Sequence, residues 1–231
     1  WLGDGFYYSA YDAPEKGRET SAKNSVQKIY YHKIGTPQSE DQLFFMNPTQ
    51  PLRFYNVDID HDEKVMTLNE GGMDNGNNLY VRDLTKPNSQ FIQMCSDTRF
   101  RYSTVETVGK KMYILTNAGA PKYRLMVADV DRPGYNDWKE VVPEGESVLT
   151  DVTFAADRMI LQYSKDNCNQ MYTYTTDGKR IGEIKLPTFG STSASGMRGQ
   201  KEVFYSFTSY TMPNTVYSYD LNTDKSTVWA A

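Results

Sequence analysis

One strand pattern recurs five times along the 231 residues: Ile29-Tyr-Tyr-His-Lys-Ile34, Leu79-Tyr-Val-Arg-Asp-Leu84, Leu125-Met-Val-Ala-Asp-Val130, Met171-Tyr-Thr-Tyr-Thr-Thr176 and Val216-Tyr-Ser-Tyr-Asp-Leu221. The copies are 45 to 50 residues apart, are rich in aromatic and β-branched residues, and have no helical stretch between them. A period of that length is the mark of a repeat built from short antiparallel strands, such as the blades of a β-propeller. Each copy is preceded by a second strand, at Phe6-Ser9, Val65-Leu68, Met112-Leu115, Met159-Gln162 and Val203-Ser206. It is followed by a third, at Gln42-Phe45, Gln90-Met94, Trp138-Val142, Gly182-Ile184 and Ser226-Trp229.

Turn formers separate the copy from the third strand in every repeat: Gly35-Thr36-Pro37, Pro87-Asn88, Arg132-Pro133-Gly134, Asp177-Gly178 and Asn222-Thr223-Asp224. Glycine and asparagine tolerate positive φ, and proline cannot extend a ladder, so each repeat reads as a meander. A fourth strand opens four of the repeats, at Arg53-Asp58, Tyr102-Val108, Val148-Ala155 and Gly190-Met197. In the first repeat only Trp1-Leu2 stands in its place, and the chain reads as a piece of something longer. The excess length of that repeat falls in the polar, turn-rich segment Asp12 to Asn24, which reads as an inserted loop. The expectation is an all-β fold, a β-propeller portion over 1–231 with about five four-stranded antiparallel blades. The repeats run about 1–48, 49–97, 98–146, 147–188 and 189–231, and stacked repeats share one continuous core.

Composition sets limits on function. A formal charge of −4 with both signs interspersed lacks the basic stripe that nucleic acid requires. No apolar run reaches the roughly 18 residues that span a bilayer as a helix. Cys95 and Cys168 lie in different repeats and read as small buried hydrophobes. His32 alternates with Tyr31 in a strand and His61 sits in a turn, neither at a zinc-ligand spacing. Asp58-x-Asp60-x-Asp62 imitates the start of a calcium loop, yet Glu63 stands where the glycine belongs and Asn69 where the glutamate belongs. A solvated acidic turn is the expectation there. Neither Ser193 nor Ser195 sits in a Gly-x-Ser-x-Gly elbow. No catalytic residue, metal ligand or cofactor site is assigned from the residues.

Several segments, in order along the chain, carry a family resemblance: Gly5-Phe-Tyr-Tyr-Ser-Ala-Tyr-Asp12, Gln27-Lys-Ile-Tyr-Tyr-His-Lys-Ile-Gly-Thr-Pro-Gln-Ser-Glu-Asp41, Lys122-Tyr-Arg-Leu-Met126, Trp138-Lys-Glu-Val-Val-Pro-Glu144 and Glu202-Val-Phe-Tyr-Ser-Phe-Thr-Ser-Tyr210. Together they resemble the propeller of the prolyl oligopeptidases. Oligopeptidase B is similar at His32-x-x-Gly35-Thr36, but Tyr30-Tyr31-His32 and Pro37-Gln-Ser-Glu-Asp41 favour the proline-specific branch. The alternatives outside the family are a stand-alone five-bladed propeller acting on or binding carbohydrate, and a WD-type scaffold, whose Gly-His and Trp-Asp punctuation is missing.

The resemblance implies a seven-bladed parent, of which this chain matches roughly the third to seventh blades. A separate α/β-hydrolase domain would carry the Ser, Asp and His. It also implies a gating role, in which the propeller caps the active-site cavity and admits short proline-containing peptides. The implied location is cytoplasm or bacterial periplasm. An Arg and nearby apolar groups of the family's inner rim contribute to the peptide site. Asn69 matches that Arg and Gly72 a nearby Cys, so these two are the substrate-facing residues the resemblance implies. The family's aromatic pocket residue falls upstream of Trp1.

Overall fold

Residues 1–230 are described by a computed structural model. Nineteen strands form five antiparallel sheets, each a simple meander in chain order. The first holds β1 (Gly5–Ala10), β2 (Lys28–Lys33) and β3 (Gln42–Met46). The second holds β4 (Phe54–Ile59), β5 (Val65–Gly71), β6 (Asn77–Asp83) and β7 (Ile92–Cys95). The third holds β8 (Tyr102–Val108), β9 (Lys111–Thr116), β10 (Arg124–Asp129) and β11 (Lys139–Val142). The fourth holds β12 (Val148–Ala155), β13 (Arg158–Lys165), β14 (Cys168–Thr175) and β15 (Arg180–Ile184). The fifth holds β16 (Ser191–Ser195), β17 (Glu202–Thr208), β18 (Thr215–Asp220) and β19 (Lys225–Ala230).

All the strands read from the sequence are present. Four sheets have the expected four strands and the first has three, with Leu2 making an isolated bridge to Gly5. The segment between β1 and β2 is irregular and almost wholly exposed, as an inserted loop should be.

The packing divides into two compact units, Trp1–Met112 with Ala128–Trp138, and Tyr113–Val127 with Lys139–Ala231. In the first unit Ile29, Tyr55 and Leu68 form a buried cluster, joined by Tyr7, Phe44, Phe45, Val57, Tyr80 and Phe91. Aromatic rings meet edge-on there, as Phe45 does with Tyr55 at 5.0 Å, an arrangement that suits their quadrupoles. In the second unit Met171, Ile184, Val203, Tyr205, Phe207 and Tyr219 belong to one core. The sheet alternation explains this: Val203, Tyr205 and Phe207 share one face of β17, and all three are buried.

The turns after each repeat copy follow their chemistry, with Gly35, Asn88, Gly178 and Asp224 all at positive φ. The third repeat differs. Gly134 has φ −61° and caps a 3₁₀ turn over Tyr135–Asp137, and Trp138 Nε1 donates to the Pro133 carbonyl at 2.8 Å. Proline leaves its carbonyl as an acceptor even though it lacks a donor, and the buried indole uses it.

A small ion network ties two such turns together. Lys110 and Lys86 both reach Asp131, and Lys86 also meets Asp83 at 3.1 Å. Hydrogen bonds from Lys110 first and Lys86 second push the Asp131 carboxyl down to about 2. A carboxyl whose folded value lies below its ordinary one stabilises fully above about pH 4 and loses that contribution as pH falls toward 2. The melting-temperature difference between the wild type and Asp131→Asn is therefore expected to be present at pH 6 and to vanish near pH 2. A difference unchanged across that range would show that Asp131 is not ion-paired in solution.

Candidate functional site

The start of β4 and the end of β5 bring an unusual set of groups together. Their register pairs Phe54 with Gly71 and Tyr55 with Glu70, so Arg53 stands one step further on, beside Gly72. An alanine Cβ at Gly72 would lie 2.5 Å from Arg53 Nη1, so the glycine is what leaves room for the guanidinium. Arg53 Nη1 donates to Asp74 Oδ2 at 2.6 Å, and its Nε lies 3.7 Å from Glu70 Oε1.

Glu70 is only 7% exposed, so its carboxylate needs partners. It accepts from Tyr80 Oη at 2.9 Å and from Asn78 Nδ2 at 3.3 Å. Burial, then the bond to Glu70, pushes the Tyr80 hydroxyl up to about 12, so it serves as a proton donor at any physiological pH. The Arg53 guanidinium holds the Asp74 carboxyl below its ordinary value.

Asn69 is half-buried in β5, opposite Asn56 on one side and Leu79 on the other. Adjacent strand residues point to opposite faces, so Asn69 is turned away from the Glu70 face. Gly72 lies just past the strand end. The two residues implied by the resemblance thus belong to one end of one sheet but do not form one cluster, and the charged groups near Gly72 are Arg53, Glu70 and Asp74. Arg53 went unnoticed in the sequence. Its signal is visible only once the β4–β5 register is known, because it lies 19 positions before Gly72 in the sequence.

The other candidate groups are occupied structurally. His32 Nδ1 lies 2.7 Å from Asp41 Oδ1, while Tyr8 Oη donates to the other Asp41 oxygen at 2.7 Å. An imidazole on a carboxylate is also half of a hydrolytic triad, but here the ring packs on Phe6 at 5.1 Å and no serine bonds to it among the described residues. Asp60 closes the β4–β5 turn, its Oδ1 accepting from Lys64 N and Val65 N at 2.7 Å each, with Glu63 at φ 54°. His61 is exposed in that same turn. Ser193 and Ser195 lie within β16, paired with Ser206 and Phe204.

Both cysteines are free thiols. Cys95 is buried, which pushes its thiol up to about 12, whereas Cys168 is only partly buried and lines a surface cavity of about 520 Å³. The thiolate is the reactive form, so iodoacetamide at pH 8 is expected to modify Cys168 and spare Cys95 in the folded chain. Peptide mapping checks this, and equal labelling of the two would contradict the packing around Cys95.

Comparison with known proteins places these features. The family model of the prolyl oligopeptidase N-terminal β-propeller domain matches residues 1–231. A prolyl endopeptidase of Elizabethkingia meningoseptica is 34% identical over 233 residues, covering 99% of this chain and 32% of that protein. Prolyl oligopeptidase A of Amanita bisporigera is 26% identical, covering 100% of this chain and 32% of its own. A solved prolyl endopeptidase, studied for the role of inter-domain dynamics in catalysis and specificity, superposes with a TM-score of 0.88 at 30% identity, over 100% of this chain and 33% of that one. The chain spans about a third of the length of the curated relatives it matches. With five successive meander sheets and a match along its whole length, the chain belongs to the N-terminal β-propeller domain family of prolyl oligopeptidase.

Proposed function

We propose that this chain is the noncatalytic propeller portion of a prolyl endopeptidase, a serine peptidase that cleaves short peptides after proline. Its five repeats, about 1–48, 49–97, 98–146, 147–188 and 189–231, act as blades of one domain. That domain works beside an α/β-hydrolase domain that supplies the Ser, Asp and His. The role of the propeller is geometric: it restricts access, so that a narrow peptide reaches the reactive groups and a folded protein does not. The observation that carries this reading is the match to the prolyl oligopeptidase N-terminal β-propeller domain over the entire chain.

Within this reading Asn69 and Gly72 face the substrate. A neutral amide at position 69 offers weaker hydrogen bonds to a carbonyl than a guanidinium would. The test is hydrolysis of a short chromogenic peptide with proline before the scissile bond. The full-length protein containing this chain is expected to cleave it, and residues 1–231 alone to leave it intact. A folded, inactive full-length protein would overturn the proposal.

A further inference from the structure

Arg53 reaches the space over Gly72 from the position just before β4, and two carboxylates hold it there. The side chain keeps 23% of its surface exposed, so the group is fixed but still presented to a ligand. Counted together, Arg53, Glu70 and Asp74 carry one positive and two negative formal charges. The cluster is therefore net acidic although its most conspicuous member is an arginine. Arg101 donates its Nε to the Asn75 carbonyl at 3.0 Å and is exposed, where solvent screens it, and Arg99 is held by Asp97.

We propose that Arg53 and Asp74 are specificity-determining residues that make this end of the β4–β5 pair favour a basic over an acidic side chain on the bound peptide. This rests on the reading of Gly72 as substrate-facing. A peptide carboxylate meeting the exposed guanidinium would have to compete with Asp74, which already occupies Nη1 at 2.6 Å, and would be repelled by both resident carboxylates. An ammonium or guanidinium on the peptide would instead find Asp74, which is 43% exposed, as a partner. Specificity arises here from repulsion of the wrong charge as much as from attraction of the right one.

The test uses the full-length protein and proline peptides identical except for Lys, Gln or Glu at one position, moved stepwise along the residues before the proline. At one position kcat/KM is expected to be about tenfold higher for Lys than for Glu, the size of one unit-charge interaction in a partly solvated site. Asp74→Asn removes a negative charge and is expected to bring that Lys-to-Glu ratio close to one. Arg53→Gln removes the positive charge and is expected to raise the ratio further. A merely structural role would lower activity toward all three peptides together and leave the ratio unchanged. Cleavage of every peptide with no charge preference at any position, or a ratio that moves in the same direction in both variants, would overturn the inference. If no proline peptide is cleaved at all, the peptidase reading itself fails and this assignment fails with it.

Discussion

Phe207→Ala is expected to cost about 3–5 kcal/mol, the range for emptying a large aromatic site in a packed core. Phe207 has no exposed surface and shares its cluster with Met171, Ile184, Val203 and Tyr205. Its neighbours are held by the β16–β17 ladder, in which Phe207 pairs with Thr192, and Gly190 lies against the ring. Backbone fixed on two sides collapses poorly into a void, which puts the expected loss at the upper end of that range. Marginal domains have only about 5–15 kcal/mol in total, so much of the stability goes with one side chain. Urea unfolding checks it: the midpoint should fall strongly with little change in slope. A loss below about 1 kcal/mol would mean that the core of the fifth sheet is not packed as described.

Gly178→Ala is the second large effect, and it arises from the backbone. Gly178 stands in the β14–β15 turn at φ +92°, a conformation that side-chain-bearing residues rarely adopt. A Cβ there would also press into the Val141 backbone carbonyl, which cannot swing away as a flexible side chain could. The positive φ costs about 1 kcal/mol and the overlap a further 1–3 kcal/mol. Gly109 separates the two contributions, because it has φ +62° with nothing near its missing Cβ. Gly109→Ala is expected to lose only the smaller amount, about 1 kcal/mol. Equal losses for the two variants, measured by urea unfolding, would show that the Val141 contact is not present in solution.

These cases also show which parts of the structure the sequence discloses. The strands are legible because Val65-Met-Thr-Leu68, Met112-Tyr-Ile-Leu115 and their counterparts recur at similar spacing with turn formers between them, a local signal that needs no knowledge of the fold. Gly178 is legible as a turn for the same reason. The 3₁₀ turn at Tyr135–Asp137 is not, since Pro133-Gly134 announces a turn without saying whether its carbonyl will be claimed by Trp138. The least legible feature is Arg53 over Gly72. It depends on the β4–β5 register, on the burial of Glu70 and on the space left by a missing Cβ, and none of these has a sequence signature by itself.

The same distinction separates the two halves of the functional account. Family membership follows from segments spread along the whole chain. The proposed peptide selection rests on a few groups at one end of β4 and β5, Arg53, Glu70 and Asp74.

The most direct test of the proposed role is the size dependence of cleavage by the full-length protein. A proline site is presented in an octapeptide and, with identical flanking residues, within a folded host domain of about 100 residues, a common single-domain size. An access filter predicts that the octapeptide is cut while the folded host is spared at least about 100-fold in kcat/KM, a barrier difference of about 2.7 kcal/mol. Cleavage of both at similar rates, with the host shown to remain folded throughout, would contradict the role proposed for residues 1–231.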